Sequence, residues 1–299
     1  MNDLVRGDGR FGVSTALLTP WIVSGGVDAD LLSAHAASCL RAGADSVTLF
    51  GTTGEGASVG ATERQQVLAA ILSSGISASD IILGVCAPAV ADAADQIAEG
   101  ARLGLTRFLV LPPFYFKEPD DTGLFDWHRA LVDSTPADTK LILYHIPQLS
   151  GTPLSPDLVR LLAAYAPSRF IAIKDSSADW NTAEALITGQ PLPVLVGDER
   201  LLHRAVSIGS AGCISGVANL YPERLKHVVA TGVEDTALSC LVDQIVRAPV
   251  LAALKFLMFE QTNHPSWDRM RAPLTTLTPE NRIMLRAALA KDQAAPQYA

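Results

Sequence analysis

Short apolar runs recur along this chain at intervals of roughly 20 to 35 residues, with helical patterns between them, and they constrain the fold more than any other feature. They fall at residues 13–18, 46–50, 81–85, 107–111, 141–144, 170–174, 194–197 and 213–215. A run that is apolar at nearly every position, and not at every second one, is a strand covered on both faces. Helices returning between such strands make them parallel. Eight units in series predict a closed (β/α)8 TIM barrel, with any active site at the carboxyl ends of the strands. The competing open, doubly wound sheet calls for a GxGxxG turn after the first strand, and that turn is missing here.

Local punctuation agrees with this reading. Gly43, Gly104 and Gly209 stand where helices should end before strands, and Ser155-Pro156 and Thr278-Pro279 offer a capping hydroxyl followed by proline at the first helical position. From about Val233 strand signals stop and helical patterns continue. The barrel is therefore assigned to residues 1–232 and a helical extension to 233–299, with the terminal AAPQYA expected to fray.

With 299 residues and 48% hydrophobic content, the chain can bury a substantial core. A net charge of -8 argues against nucleic acid or an anionic membrane as a partner, since both call for a basic surface. The first residues lack the apolar stretch of a secretory signal, and no uncharged run approaches the length of a membrane span, so the expected location is the cytoplasm. Cys39, Cys86, Cys213 and Cys240 lie far apart without CxxC spacing and read as reduced, buried small hydrophobes. The histidines show no HxxxH or HxH pairing and no GxSxG elbow occurs, so neither a metal, another cofactor nor a serine triad is expected.

Lys174 ends the apolar run 170–173 and is followed by Asp175-Ser176-Ser177. An amine where a buried strand opens into a pocket is partly desolvated, which favours its neutral form and frees it to attack a carbonyl. The other five lysines lie in an acidic loop, before a strand, in helical patterns or in the tail. On position alone, a lysine snorkelling from a strand end to water is an equal reading. Gly51-Thr52-Thr53-Gly54-Glu55-Gly56 can cradle a carboxylate or phosphate, or can be only a tight connection; no lysine follows it as in a Walker loop. Tyr144 puts a phenol at the same mouth, as a proton carrier or as a core tyrosine with a satisfied hydroxyl. The aromatic run at 114–116 lines a pocket or seals a subunit contact.

Together, GTTGEG at 51–56, PPFYF at 112–116, YHIPQLSG at 144–151, IKDSS at 173–177, VGDE at 196–199, GCISG at 212–216 and RAPL at 271–274 resemble the dihydrodipicolinate synthase and N-acetylneuraminate lyase family of class I aldolases, across nearly the whole chain. The resemblance implies a TIM barrel with a helical carboxyl-terminal region and a Schiff base to a 2-keto acid, usually pyruvate. It makes Lys174 the imine-forming lysine and Tyr144 the proton-transferring tyrosine of the family's YNxP motif. Thr52 becomes a member of a hydroxyl relay, and Thr53, with Gly51 and the neighbouring amides, the carboxylate cradle. Tyr115 matches a relay tyrosine that comes from the partner subunit of a tight dimer, while Gly197 and Ile214 line the pocket floor through backbone groups.

The departures bear on the substrate. Synthases that use aspartate semialdehyde resemble YNVPSRTG, with an arginine where this chain has Leu149. Sialic acid lyases resemble YNIPALSG, but carry GxDE after strand seven and a serine beyond GIG, where this chain has Gly197-Asp198-Glu199-Arg200 and Gly216. His145 replaces the usual asparagine. The expected function is therefore aldol cleavage or condensation of pyruvate with an aldehyde, or dehydration of a 2-keto-3-deoxy sugar acid. The alternatives are a 4-hydroxy-tetrahydrodipicolinate synthase and, from another class, a catalytically silent barrel that binds a keto acid. A mean hydropathy of +0.25 together with the aromatic loop predicts a homodimer or homotetramer.

Overall fold

The computed structural model describes residues 11–189 and 191–295. Its strands are β1 (Gly12–Ala16), β2 (Ser46–Leu49), β3 (Ile81–Val85), β4 (Arg107–Val110), β5 (Lys140–His145), β6 (Phe170–Asp175), β7 (Val194–Val196) and β8 (Gly212–Ser215). Each is parallel to the next, and β8 pairs with β1 to close the barrel. The ends differ from the sequence reading by one or two residues. Leu17 still donates its N–H to the Thr48 carbonyl of β2 at 2.9 Å, but the buried Leu18 turns away, its N–H donating to the Asn219 side chain at 3.0 Å.

The helices are α1 (Ala29–Arg41), α2 (Ala61–Ser73), α3 (Val90–Arg102), α4 (Asp121–Asp133), α5 (Pro147–Ser150), α6 (Pro156–Tyr165), α7 (Trp180–Gly189), α8 (Glu199–Ser207), α9 (Pro222–Thr231), α10 (Thr236–Ile245), α11 (Val250–Thr262) and α12 (Pro279–Ala294). Ser155 and Thr278 cap α6 and α12 through their side-chain oxygens, and Gly43, Gly104 and Gly209 take positive φ just past α1, α3 and α8.

The pleat sorts side chains into layers. Ala16, Ile82, Leu109, Ile142, Ala172, Leu195 and Ile214 fill the barrel interior. The alternate residues Val47, Leu83, Val110, Leu143 and Ile173 face the surrounding helices. A second outer cluster joins Val13, Val196 and Cys213 to Leu241, Phe256 and Trp267, so α10 to α12 extend the barrel along its β1–β8 side. The expected boundary after residue 232 falls at Gly232, the left-handed cap of α9. A polar contact also crosses it: Lys255 of α11, 1% exposed, donates to the Thr19 carbonyl and to Glu55, each at 2.8 Å.

The cysteine expectation needs correction. Cys39 and Cys213 are buried and Cys86 is half-buried, but Cys240 is exposed, because the apolar stripe of α10 runs through Leu238, Leu241, Val242 and Ile245 and leaves it outside. No described helix is long and apolar enough to cross a membrane. The expectation of a frayed tail falls, from residue 296, outside the described residues.

Candidate active site

Tyr144 and Lys174 are register partners on β5 and β6, each two residues beyond an interior residue, Ile142 and Ala172. A period of two therefore turns both inward at the carboxyl end of the barrel. Both are buried, and the Lys174 Nζ donates to the Tyr144 hydroxyl at 3.2 Å while lying 4.3 Å from the centre of the phenol ring. They form one end of a cavity of about 270 Å³.

Thr52 and Thr53 enter the same cavity from the turn after β2. The turn is forced back on itself by left-handed conformations at Phe50 (φ 55) and Glu55 (φ 52). Gly56 is required there, since a Cβ on it would lie 1.8 Å from the Phe50 carbonyl oxygen. The Glu55 and Gly56 amides are spent on the Thr52 and Gly51 carbonyls. Among the described residues no backbone acceptor is found for the Thr52 and Thr53 amides, which leaves hydroxyl and amide donors beside the amine. Gly51 itself is buried behind this wall and does not line the cavity. Gly197 and Ile214 do line it; a Cβ at Gly197 would meet the Ser176 Oγ at 2.0 Å.

Tyr115 is outside this set. It is 77% exposed, adopts φ 96 and stacks edge-to-face on Phe116 at 5.4 Å, in the segment between β4 and α4. Within one chain, Thr52 is a cavity neighbour of Tyr144 with no hydrogen bond between them among the described residues.

Several wall residues were not assigned to the site from sequence. Glu199 accepts from the Ser215 Oγ at 2.5 Å and from the Val217 N–H at 3.3 Å, and burial pushes its carboxyl above the usual range. Arg200 is occupied by Asp198, through bonds of 2.9 and 2.6 Å, and by Asp243 of α10 at 3.0 Å. An apolar stretch of the lining comes from Val242, Ile245, Leu251 and Leu254 of α10 and α11, and the exposed Leu149 also lines the cavity. The GDER tract after β7 was the available signal for the polar wall; the apolar one had none, because an apolar residue of α10 or α11 reads the same whether it packs on the barrel or faces its mouth. Among the described residues no group of three or more His, Cys, Asp or Glu side chains could hold a metal ion. The arrangement can form an imine at Lys174, move a proton at Tyr144 and hold a carboxylate at Thr52 and Thr53.

A profile of the Dihydrodipicolinate synthetase family matches residues 10–292. The chain is 34% identical over 289 residues to an uncharacterized DapA-like lyase of Chloroflexus aurantiacus, covering 93% of this chain and 95% of that one. It is 28% identical over 286 residues to a 4-hydroxy-tetrahydrodipicolinate synthase of Thermosynechococcus vestitus, covering 93% and 95%. Among solved structures, it is similar to dihydrodipicolinate synthase from Agrobacterium tumefaciens, with a TM-score of 0.91, 41% identity, and 94% and 99% of the two chains covered.

Proposed function

Because this chain belongs to the dihydrodipicolinate synthetase family and is a lyase of it, we propose that Lys174 condenses with the ketone of pyruvate or a related 2-keto acid and that the protonated imine drives bond-breaking at C3. The observation that carries this is the buried Lys174–Tyr144 contact at the cavity end beside Thr52 and Thr53. The amine attacks C2, the carbinolamine loses water, and Tyr144 passes the protons that this requires. Loss of a C3 proton, or cleavage of the C3–C4 bond, then gives the enamine, and hydrolysis returns Lys174. The Thr52 and Thr53 donors hold the substrate carboxylate, and Gly197 and Ile214 form the floor beneath it.

The second substrate is an uncharged aldehyde or the polyhydroxylated end of a 2-keto-3-deoxy acid. Among the described residues, Arg200 is the cation that lines the cavity besides Lys174, and two aspartates already hold it. The active unit is a dimer or a dimer of dimers in which Tyr115 of each subunit completes the partner's proton relay. Its exposure in a single chain supports this. A cytoplasmic setting fits four free cysteines.

The test is borohydride reduction with a panel of 2-keto acids, read by intact and peptide mass. We expect a reduced adduct on Lys174, and loss of both trapping and turnover in Lys174→Ala. An adduct on Lys117 or Lys255 with Lys174 unmodified would sink the assignment, and no adduct at all would leave a silent keto-acid-binding barrel.

A further inference from the structure

Behind the Lys174–Tyr144 pair, on the outer face of the same two strands, lies a second polar pair that the chemistry above does not use. His145 follows Tyr144, Asp175 follows Lys174, and the pleat turns both away from the barrel interior. They are register partners, 5% and 2% exposed. The His145 Nδ1 accepts the Leu154 N–H at 3.1 Å, so the neutral ring carries its proton on Nε2. Asp175 Oδ1 accepts the Ser177 N–H at 3.0 Å.

The bond from Leu154 to His145 closes a loop whose intervening residues include Gln148 and Leu149, both in the cavity wall. Inside the loop, the Ser150 hydroxyl donates to the Ile146 carbonyl at 3.0 Å and to the Thr152 carbonyl at 3.1 Å. Outside it, the Thr152 hydroxyl donates to the Pro113 carbonyl at 2.8 Å, which reaches the segment bearing Tyr115. Gln148 Nε2 donates to the Ser176 carbonyl at 2.6 Å, and the Ser176 N–H to the His145 carbonyl at 2.8 Å. Among the described residues, the ring is thus the side chain that ties the far end of the loop to the strand bearing Tyr144.

We propose, resting on the role of Lys174 and Tyr144 given above, that His145 is a positioning residue: its unprotonated Nδ1 latches Leu154 and thereby holds Tyr144 against Lys174 and Gln148 and Leu149 at the cavity wall. Protonating the ring turns that acceptor into a donor facing another N–H, and the latch opens. The charged groups around the ring are Asp175 from β6, Asp179 before α7 and, through Ser155, Asp121 of α4. All are acidic and favour the imidazolium, but burial outweighs them and pushes His145 below its ordinary 6.5. The latch is therefore intact at neutral pH and lost only as pH falls through a value below 6.5.

The test compares wild type, His145→Asn and His145→Leu in three readouts: kcat and KM against pH, borohydride trapping at Lys174, and hydrogen exchange at the Leu154 amide. Asparagine can present an acceptor to Leu154 but does not titrate. His145→Asn should keep kcat within about threefold at neutral pH and push the acid limb of the kcat profile to lower pH. His145→Leu should lower kcat by about 10- to 100-fold, the loss of one buried hydrogen bond, and speed exchange at Leu154. An acid limb unchanged in His145→Asn, or wild-type kcat and exchange in a folded His145→Leu, would overturn the latch. Wild type that fails to trap at Lys174 would instead overturn the reading on which it rests.

Discussion

Leu149 is 62% exposed at the rim of the cavity, on the loop that returns from Tyr144. A carboxylate on the second substrate would meet an aliphatic side chain there, and Arg200, which lines the same cavity, is already satisfied by Asp198 and Asp243. The neighbouring Asp198 carboxylate and the apolar wall from α10 and α11 add no attraction for an anion. We therefore expect a lower kcat/KM for aspartate semialdehyde than for an uncharged or polyhydroxylated aldehyde, measured in coupled assays. Leu149→Arg should raise kcat/KM for aspartate semialdehyde by about 10- to 100-fold, the worth of a charge-assisted hydrogen bond of roughly 1.5–3 kcal/mol. If wild type made dihydrodipicolinate faster than any other product, the synthase alternative would be the correct one.

At the scale of elements, α11 supports the turn that carries Thr52 and Thr53. Its Lys255 and the Glu55 of that turn are both fully buried, and Glu55 also accepts from the Trp21 indole at 2.9 Å and the Arg271 N–H at 3.3 Å. Burial pushes the Lys255 ammonium down to about 8 against the pull of Glu55. Removing one member of such a pair leaves a charge without its partner inside the protein. Lys255→Met should thus cost about 3–5 kcal/mol in urea denaturation, and adding Glu55→Gln should recover much of that loss. A Lys255→Met chain as stable as wild type would mean that water reaches Glu55. Because Glu55 sits in the turn between Thr53 and Gly56, the single variant should also raise the KM for the keto acid.

At the scale of the whole molecule, Tyr115 and Phe116 are each 77% exposed, an aromatic patch on a single chain that another subunit would cover. If Tyr115 of one subunit reaches the partner's cavity, assembly and catalysis are coupled. Tyr115→Phe should lower kcat by about 10- to 1000-fold, the range of a lost acid–base contribution, while leaving the oligomer intact. Light scattering across a dilution series, run beside the assay, should show activity falling as the dimer dissociates. A fully active monomer would refute the coupling.

Much of this molecule can be read from the chain alone. The eight strands fall within one or two residues of the apolar runs, because a strand covered on both faces is apolar at most positions, with small hydroxyls such as Ser14 and Thr48 admitted where they pair with each other, and that requirement is written locally. The Ser155 and Thr278 caps are local in the same way. Lys174 and Tyr144 were legible because each polar residue closes an apolar run, and adjacent strands of a parallel barrel bring such ends together. The burial of the Lys255–Glu55 pair, the Glu199–Ser215 contact and the apolar wall from α10 and α11 were decided only by tertiary structure. Lys255 and Glu55 are 200 residues apart, and no periodicity carries information over that distance. Local burial is set by neighbours in sequence, whereas the pairing of buried polar groups is set by which distant elements meet once the barrel has closed.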